Sequence, residues 1–238
     1  MKASHRPLRR AMVEICLAMN RAGINQGASG NLSVRVADGF LVTPSSLPYD
    51  EMRPRDIVHM AFDGTYGGDR PPSSEWRIHR DVLAARPDVD VVLHAHPTFA
   101  TALAVHGRGI PSFHYMVALA GGDSIRCAPY ATFGTQALSD HALAALDGRL
   151  ACLLANHGMV VLGRTPKAAL ALAVEVETLA RQYVFALGLG QPAILPPDEI
   201  DRVARKMRAM RYASAGGGTA DPDVARRSDE SMRHDNSQ

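Results

Sequence analysis

The chain has 238 residues, of which 46% are hydrophobic and 21% charged, with a formal net charge of +2 at pH 7. That length and apolar content support a buried core in one large domain, and so slight a charge argues against a nucleic-acid-binding protein while tolerating an anionic ligand. No run of about 18 apolar residues is available for a membrane span, and the odd, scattered set Cys16, Cys127 and Cys152 excludes a disulfide framework and a thiolate metal site.

The first residues, Met1 to Pro7, lead into a helix instead of a signal-peptide apolar region, so a cytoplasmic protein is expected. Met12, Ile15, Cys16 and Met19 recur at helical spacing, and Gly23 supplies a stop. Leu32, Val34 and Val36 then alternate, Asp38-Gly39 reads as a hairpin turn, and Phe40-Leu41-Val42 returns as a second strand. A helix is expected after Ser73-Ser74, carried by Ile78, Val82 and Leu83, followed by a strand from Val89 to His94. Next come a helix from Pro97 to Val105, a strand from Ile125 to Ala128 and a helix from Thr135 to Leu146. Two strands flank His157, at Cys152–Ala155 and Met159–Leu162, before a long helix from Pro166 to Leu187.

Hairpins mixed with intervening helices predict a three-layer α/β/α domain around a mixed, largely antiparallel sheet, over residues 1–213. Arg202, Arg205, Lys206, Arg208 and Arg211 form a basic stripe on a last helix, which reads as a solvated face because no aromatic residues interleave with the charge. From Ser214 to Gln238 the sequence turns polar after Gly216-Gly217-Gly218, and a disordered tail is expected there.

The chemistry concentrates in histidines. His94 and His96 end a β-branched run, Val89 to Leu93, and residues two apart on a strand point to the same side, so both imidazoles can reach one ion. His157 follows a second apolar run, Ala151 to Ala155, whose final turn can bring it beside the pair. A lone histidine is more often a satisfied core residue; a same-side pair with a third strand-end imidazole and an open fourth position is what a catalytic zinc site needs.

Upstream, Glu75 falls in the first turn of the helix after Ser73-Ser74, where a carboxylate is commonly only a favourable charge at a helix N-terminus. The paired serines add hydroxyls to the free N–H groups of a helix start, a combination that suits an anion. A second anion candidate is Gln26 to Ser33, where glycines permit close backbone approach and Asn31 and Ser33 can donate, although a Gly-rich loop alone is more often a simple turn.

The segments Asn25 to Arg35, Pro72 to Arg77, His94-Ala95-His96 and Ile110 to Met116 together resemble the class II aldolase/adducin family, in order from the first helix to about Met210. Gly121 to Thr135 narrows the resemblance to members that cleave L-fuculose 1-phosphate. The resemblance implies the three-layer fold, a fourfold ring of subunits, and a Zn2+ ion held by His94, His96 and His157, with Glu75 also approaching the metal in the resting state. It implies Glu75 as acid/base at the enediol carbon and Tyr115, supplied across a subunit boundary, as acid/base for the leaving aldehyde. The substrate phosphate would be held at Gly30, Asn31, Ser45, Ser46, Ser73 and Ser74, with Phe133 beside the aldehyde. Ser46 departs from the glycine implied at its position, Asn156 replaces a histidine, and Tyr212 is the candidate for a C-terminal aromatic.

The expected activity is therefore reversible cleavage of a ketose 1-phosphate, L-fuculose 1-phosphate or a close analogue, to dihydroxyacetone phosphate and a small aldehyde such as lactaldehyde. Substrates ending in a 5-deoxy or 5-methylthio group would keep the phosphate half and change only the aldehyde end. A 4-epimerase or a dehydratase on the same scaffold is the alternative enzyme, and a non-catalytic interaction module, as in the adducin branch, is disfavoured by the presence of all three histidines and Glu75.

Overall fold

The computed structural model describes residues 5–214; of the tail expected from residue 214, all but Ser214 lies outside them. Within that span one nine-stranded sheet runs in the order β4-β3-β2-β1-β5-β9-β8-β7-β6. Its strands are β1 (Asn31–Val36), β2 (Gly39–Val42), β3 (Val58–Met60), β4 (Tyr66–Gly67), β5 (Val91–Ala95), β6 (Ile110–Pro111), β7 (Ser124–Ala128), β8 (Ala151–Leu154) and β9 (Gly158–Gly163). The pairing of β7 with β8 is parallel and those of the other neighbours are antiparallel, as expected for hairpins interrupted by helices. The short strands β3, β4 and β6 were not among the expected elements, because two or three residues are too few to display an alternating pattern.

Helices cover both sides of the sheet. Helix α1 (Arg6–Arg21), α3 (Thr98–Ala104) and α5 (Pro166–Leu189) pack on the face formed by Leu32, Val34, Leu41, Val91, Leu93 and Val161. Helix α2 (Trp76–Ala85) and α4 (Gln136–Ala145) pack on the opposite face with Phe40, Val42, Met60, Val92, Val160 and Leu162. Alternate residues of each strand thus enter different cores, and a slip of one residue would exchange them. The layers match the predicted α/β/α arrangement.

Helix α6 (Pro197–Ser214) comes last, and Arg202, Arg205, Lys206 and Arg208 are exposed on it, as a solvated face requires. None of the helices among the described residues is long and apolar enough to cross a membrane. Cys16 and Cys152 are buried; Cys127 is half-buried, and all three are free thiols.

Candidate active site

Sheet register builds the centre of the site. In the antiparallel pairing of β1 with β5, Asn31 stands opposite His94 and Ser33 opposite Val92, so Asn31, Ser33 and His94 project from the face that α2 covers. β5 also pairs with β9, placing Val160 opposite His94 and Met159 opposite Ala95. The Nδ1–H of His94 donates to the Met159 carbonyl at 2.9 Å, which leaves Nε2 with its lone pair toward the site. His96 lies just past β5, and its Nε2 sits 2.8 Å from His94 Nε2. His157 arrives from the β8–β9 turn, where Asn156 adopts φ 56°, a left-handed conformation that asparagine tolerates better than most residues. The three rings converge with centroids 4.6, 4.8 and 4.9 Å apart.

Two glycines let the backbone close around these rings. A Cβ on Gly158 would lie 2.5 Å from the Ala95 carbonyl oxygen and 2.6 Å from the His96 ring. One on Gly30 would meet the His94 carbonyl oxygen at 2.6 Å and Asn25 Oδ1 at 2.7 Å. Gly158 was not among the candidate residues, although its place immediately after His157 was a usable signal.

Glu75 completes the cluster. It stands at the N-cap position of α2, one residue earlier than the expected first turn, with no capping hydrogen bond from its side chain. Its carboxylate instead points into the histidines: Oε2 is 3.0 Å from His94 Nε2 and accepts from Asn31 Nδ2 at 3.0 Å. Oε1 approaches His157 Nε2 at 3.3 Å, too poorly aligned for a hydrogen bond, and so has no hydrogen-bond partner although it is buried. Ligand atoms of Glu75, His94, His96 and His157 all lie within 4.8 Å of one another.

Burial would by itself raise the Glu75 carboxyl, but His94, His157 and the Asn31 N–H outweigh it and hold the group well below the usual carboxylate range. Burial and the neighbouring His94 lower His96 to about 3 and His157 to about 4, while the Glu75 carboxylate pulls His94 upward against its own burial. Two imidazoles held neutral, a third paired with the carboxylate, and a carboxylate oxygen with no hydrogen bond are a donor set that suits a divalent cation. The residues present fit a metal.

The serines form a second group. The Pro44↔Pro72 bridge, with Ser45 N–H donating to Pro71 O and Ser73 N–H to Thr43 O, fastens the loop after β2 to the segment before α2. Ser45, Ser46, Ser73 and Ser74 are thereby brought to neighbouring stretches, and the Ser45 and Ser46 hydroxyls are 3.3 Å apart. Ser46 is exposed with φ 54°, a conformation glycine adopts without penalty, which accounts for glycine as the expected residue there. Gly134 brings the Thr132-Phe133-Gly134 loop onto this segment, since a Cβ there would lie 2.7 Å from the Ser74 carbonyl oxygen.

Tyr115 opens a 3-10 helix with its ring against His114, and Tyr115 and Phe133 are both largely exposed, at 49% and 62%. Among the described residues no hydrogen bond or ion pair joins either to the histidines. Tyr212 lies in α6, beyond the residues whose side chains are described.

A family model for the Class II Aldolase and Adducin N-terminal domain matches residues 10–184. The chain belongs to the class II aldolase/adducin family. A 5-methylthioribulose-1-phosphate/5-deoxyribulose-1-phosphate aldolase of Rhodospirillum rubrum is 54% identical over 208 residues, 87% of this chain and 94% of that protein. An L-fuculose phosphate aldolase of Escherichia coli is 44% identical over 202 residues, 84% of this chain and 94% of its own length. The solved structure of an L-fuculose 1-phosphate aldolase superposes with a TM-score of 0.83 at 36% identity, covering 87% of this chain and 98% of that one. The relatives are aldolases, and this member of the family is an enzyme of the lyase class.

Proposed function

We propose that the protein is a zinc-dependent aldolase that cleaves a ketose 1-phosphate to dihydroxyacetone phosphate and a small, weakly polar aldehyde. The observation that carries this reading is the buried Glu75 carboxylate, set among three converging imidazoles with one oxygen lacking a hydrogen bond. Zinc held by His94, His96 and His157 would supply Lewis acidity that stabilises the negative charge developing beside the substrate carbonyl.

The chain's own groups do the rest. Glu75 moves the proton at the enediol carbon; being buried, it does so with little interference from solvent. Tyr115 gives and takes the proton on the hydroxyl that becomes the aldehyde, working from a neighbouring subunit of a homotetramer, which agrees with its exposure in the single chain. The phosphate is held by hydroxyl and backbone N–H donors of Ser45, Ser46, Ser73 and Ser74 and by the backbone at Gly30, with Phe133 lining the aldehyde end. The Asn31 amide is engaged with Glu75, so its place in the phosphate set requires the carboxylate to release it. Localisation in the cytoplasm belongs to the same proposal.

The substrate is sharpened by the relatives. Identity of 54% to the methylthioribulose/deoxyribulose enzyme against 44% to the fuculose enzyme favours a 5-deoxy- or 5-methylthio-pentulose 1-phosphate over the L-fuculose 1-phosphate expected first. Apolar pocket walls separate such aldehydes by only about 1–3 kcal/mol per methylene, so L-fuculose 1-phosphate is turned over as well, less efficiently. Catalytic efficiency is to be measured with all three sugars by release of dihydroxyacetone phosphate. Cleavage with the 5-deoxypentulose compounds preferred is the expected result; epimerisation or dehydration without triose phosphate release would overturn the proposal.

A further inference from the structure

Behind Glu75 lies a string of polar groups of which the proposed chemistry uses only Asn31. His79, on the second turn of α2, is fully buried among Ile78, Val82 and Leu83. Its Nδ1 is 2.7 Å from Ser33 Oγ, and its Nε2 is hydrogen-bonded to Asn31 Oδ1. Asn31 Nδ2 in turn donates to Glu75 Oε2 at 3.0 Å. Ser33 is also fully buried and Asn31 nearly so. The layer between α2 and the sheet is otherwise built from Phe40, Val42, Val58, Val92 and similar side chains.

The polarity of each link follows from the one at its end. A carboxylate only accepts, so the amide nitrogen of Asn31 must face Glu75 and the amide oxygen must face His79. That oxygen also only accepts, so His79 Nε2 carries the proton. A neutral ring then has an acceptor at Nδ1, which the Ser33 hydroxyl fills as donor. Burial, with His94 adding to it, keeps the ring neutral by lowering it to about 3. With the proton on Nδ1, Nε2 would face the Asn31 carbonyl oxygen as a second acceptor, and turning the amide to relieve that would set its carbonyl against the Glu75 carboxylate.

A buried polar string is costly unless every member is satisfied, and apolar side chains fill such space at least as well. Packing alone gives no reason for Ser33 and His79 to be polar. We propose that His79 is a positioning residue: its Nε2–H, with Ser33 filling Nδ1, holds the Asn31 amide oxygen and so keeps the amide N–H donor facing Glu75 and the reacting end of the pocket. That donor holds the carboxylate in place and, when the carboxylate swings to the substrate, remains available to an oxyanion but never to a hydroxyl donor. The catalytic part of this inference rests on the aldolase reading; the tautomer does not.

Two measurements decide it. Nitrogen NMR of 15N-histidine-labelled protein, with His79 assigned by loss of its signals in a variant, reports which ring nitrogen bears the proton. Nε2–H is expected, and an Nδ1–H tautomer overturns the proposal even if no sugar phosphate proves to be a substrate. The second is a pair of substitutions that reach different neighbours. The amide of His79→Gln falls near the place of Nε2 and retains a donor for Asn31; that of His79→Asn falls near Nδ1 and reaches only Ser33.

Loss of an outer-shell partner typically lowers activity about 10- to 100-fold. His79→Asn is expected to lose kcat in that range, with metal content unchanged, and His79→Gln to recover most of it. A merely structural histidine would tolerate either amide equally, so equal kcat values for the two variants overturn the proposal. In an Asn31→Ala background, His79→Asn should cost nothing further, and a full additional loss there would show that His79 does not act through Asn31.

Discussion

The two ends of the site are built by different means. At the histidine end, β1, β5 and β9 fix Asn31, His94 and the Met159 carbonyl by strand register, and Glu75, His94 and Asn31 are all buried. At the other end, Ser45, Ser46, Ser74, Tyr115 and Phe133 sit on loops and a 3-10 turn, and Ser46, Ser74, Tyr115 and Phe133 are exposed. Displacing a sheet residue disturbs both cores, whereas a loop side chain changes with little effect on its neighbours. The end that carries the candidate metal ligands is therefore rigid, and the end carried on loops is adjustable. Relatives named for different sugar phosphates, at 54% and 44% identity, agree with that division.

The largest effect is expected from removing the rigid end's imidazoles. His94→Ala with His96→Ala should leave the purified protein without stoichiometric zinc in elemental analysis and without measurable turnover, since one histidine and one carboxylate are too few ligands for a closed zinc site. Zinc retained at one per chain in that variant would remove the metal from this cluster. Glu75→Gln is the next step down: shape and burial are kept and the proton carrier is lost. Turnover should fall by about 10²- to 10⁴-fold while zinc stays bound. Near-normal turnover would assign the proton transfer elsewhere.

The same division explains what the sequence made legible. His94 and His96 could be paired from the two-residue repeat of a strand alone, and the structure brings their Nε2 atoms to 2.8 Å. The layered fold followed from helical spacing in α1 and alternation in β1, which are long enough to show a period, with the Asp38-Gly39 turn returning the chain as β2. From its local sequence Glu75 was visible only as a helix-start residue, its catalytic role coming from the family resemblance; that its carboxylate turns inward depends on β1 lying beside α2, a contact between residues 44 positions apart. His79 carried no local signal at all, because a single histidine between Ile78 and Arg80 on a helix looks like any other. Tyr115 and Phe133 were nameable only through the family resemblance, and their exposure in one chain is what a site shared between subunits would leave.

The smallest effect is expected at the adjustable end, from Ser46→Gly. With φ 54°, Ser46 occupies a conformation that carries a penalty of about 1–2 kcal/mol for a residue bearing a Cβ. Glycine removes that penalty but gains roughly 0.4–1 kcal/mol of unfolded-state freedom. The net is a stabilisation on the order of 0.5–1 kcal/mol, which for a chain of this size raises Tm by about 1–4 °C. The substitution also removes a hydroxyl lying 3.3 Å from that of Ser45, so the KM for a ketose 1-phosphate reports which atom holds the phosphate. If the backbone N–H of residue 46 is the donor, KM stays close to wild type while Tm rises. A large rise in KM would make the Ser46 hydroxyl itself a phosphate ligand, and the strain at this residue would then be retained for binding instead of being incidental to the loop.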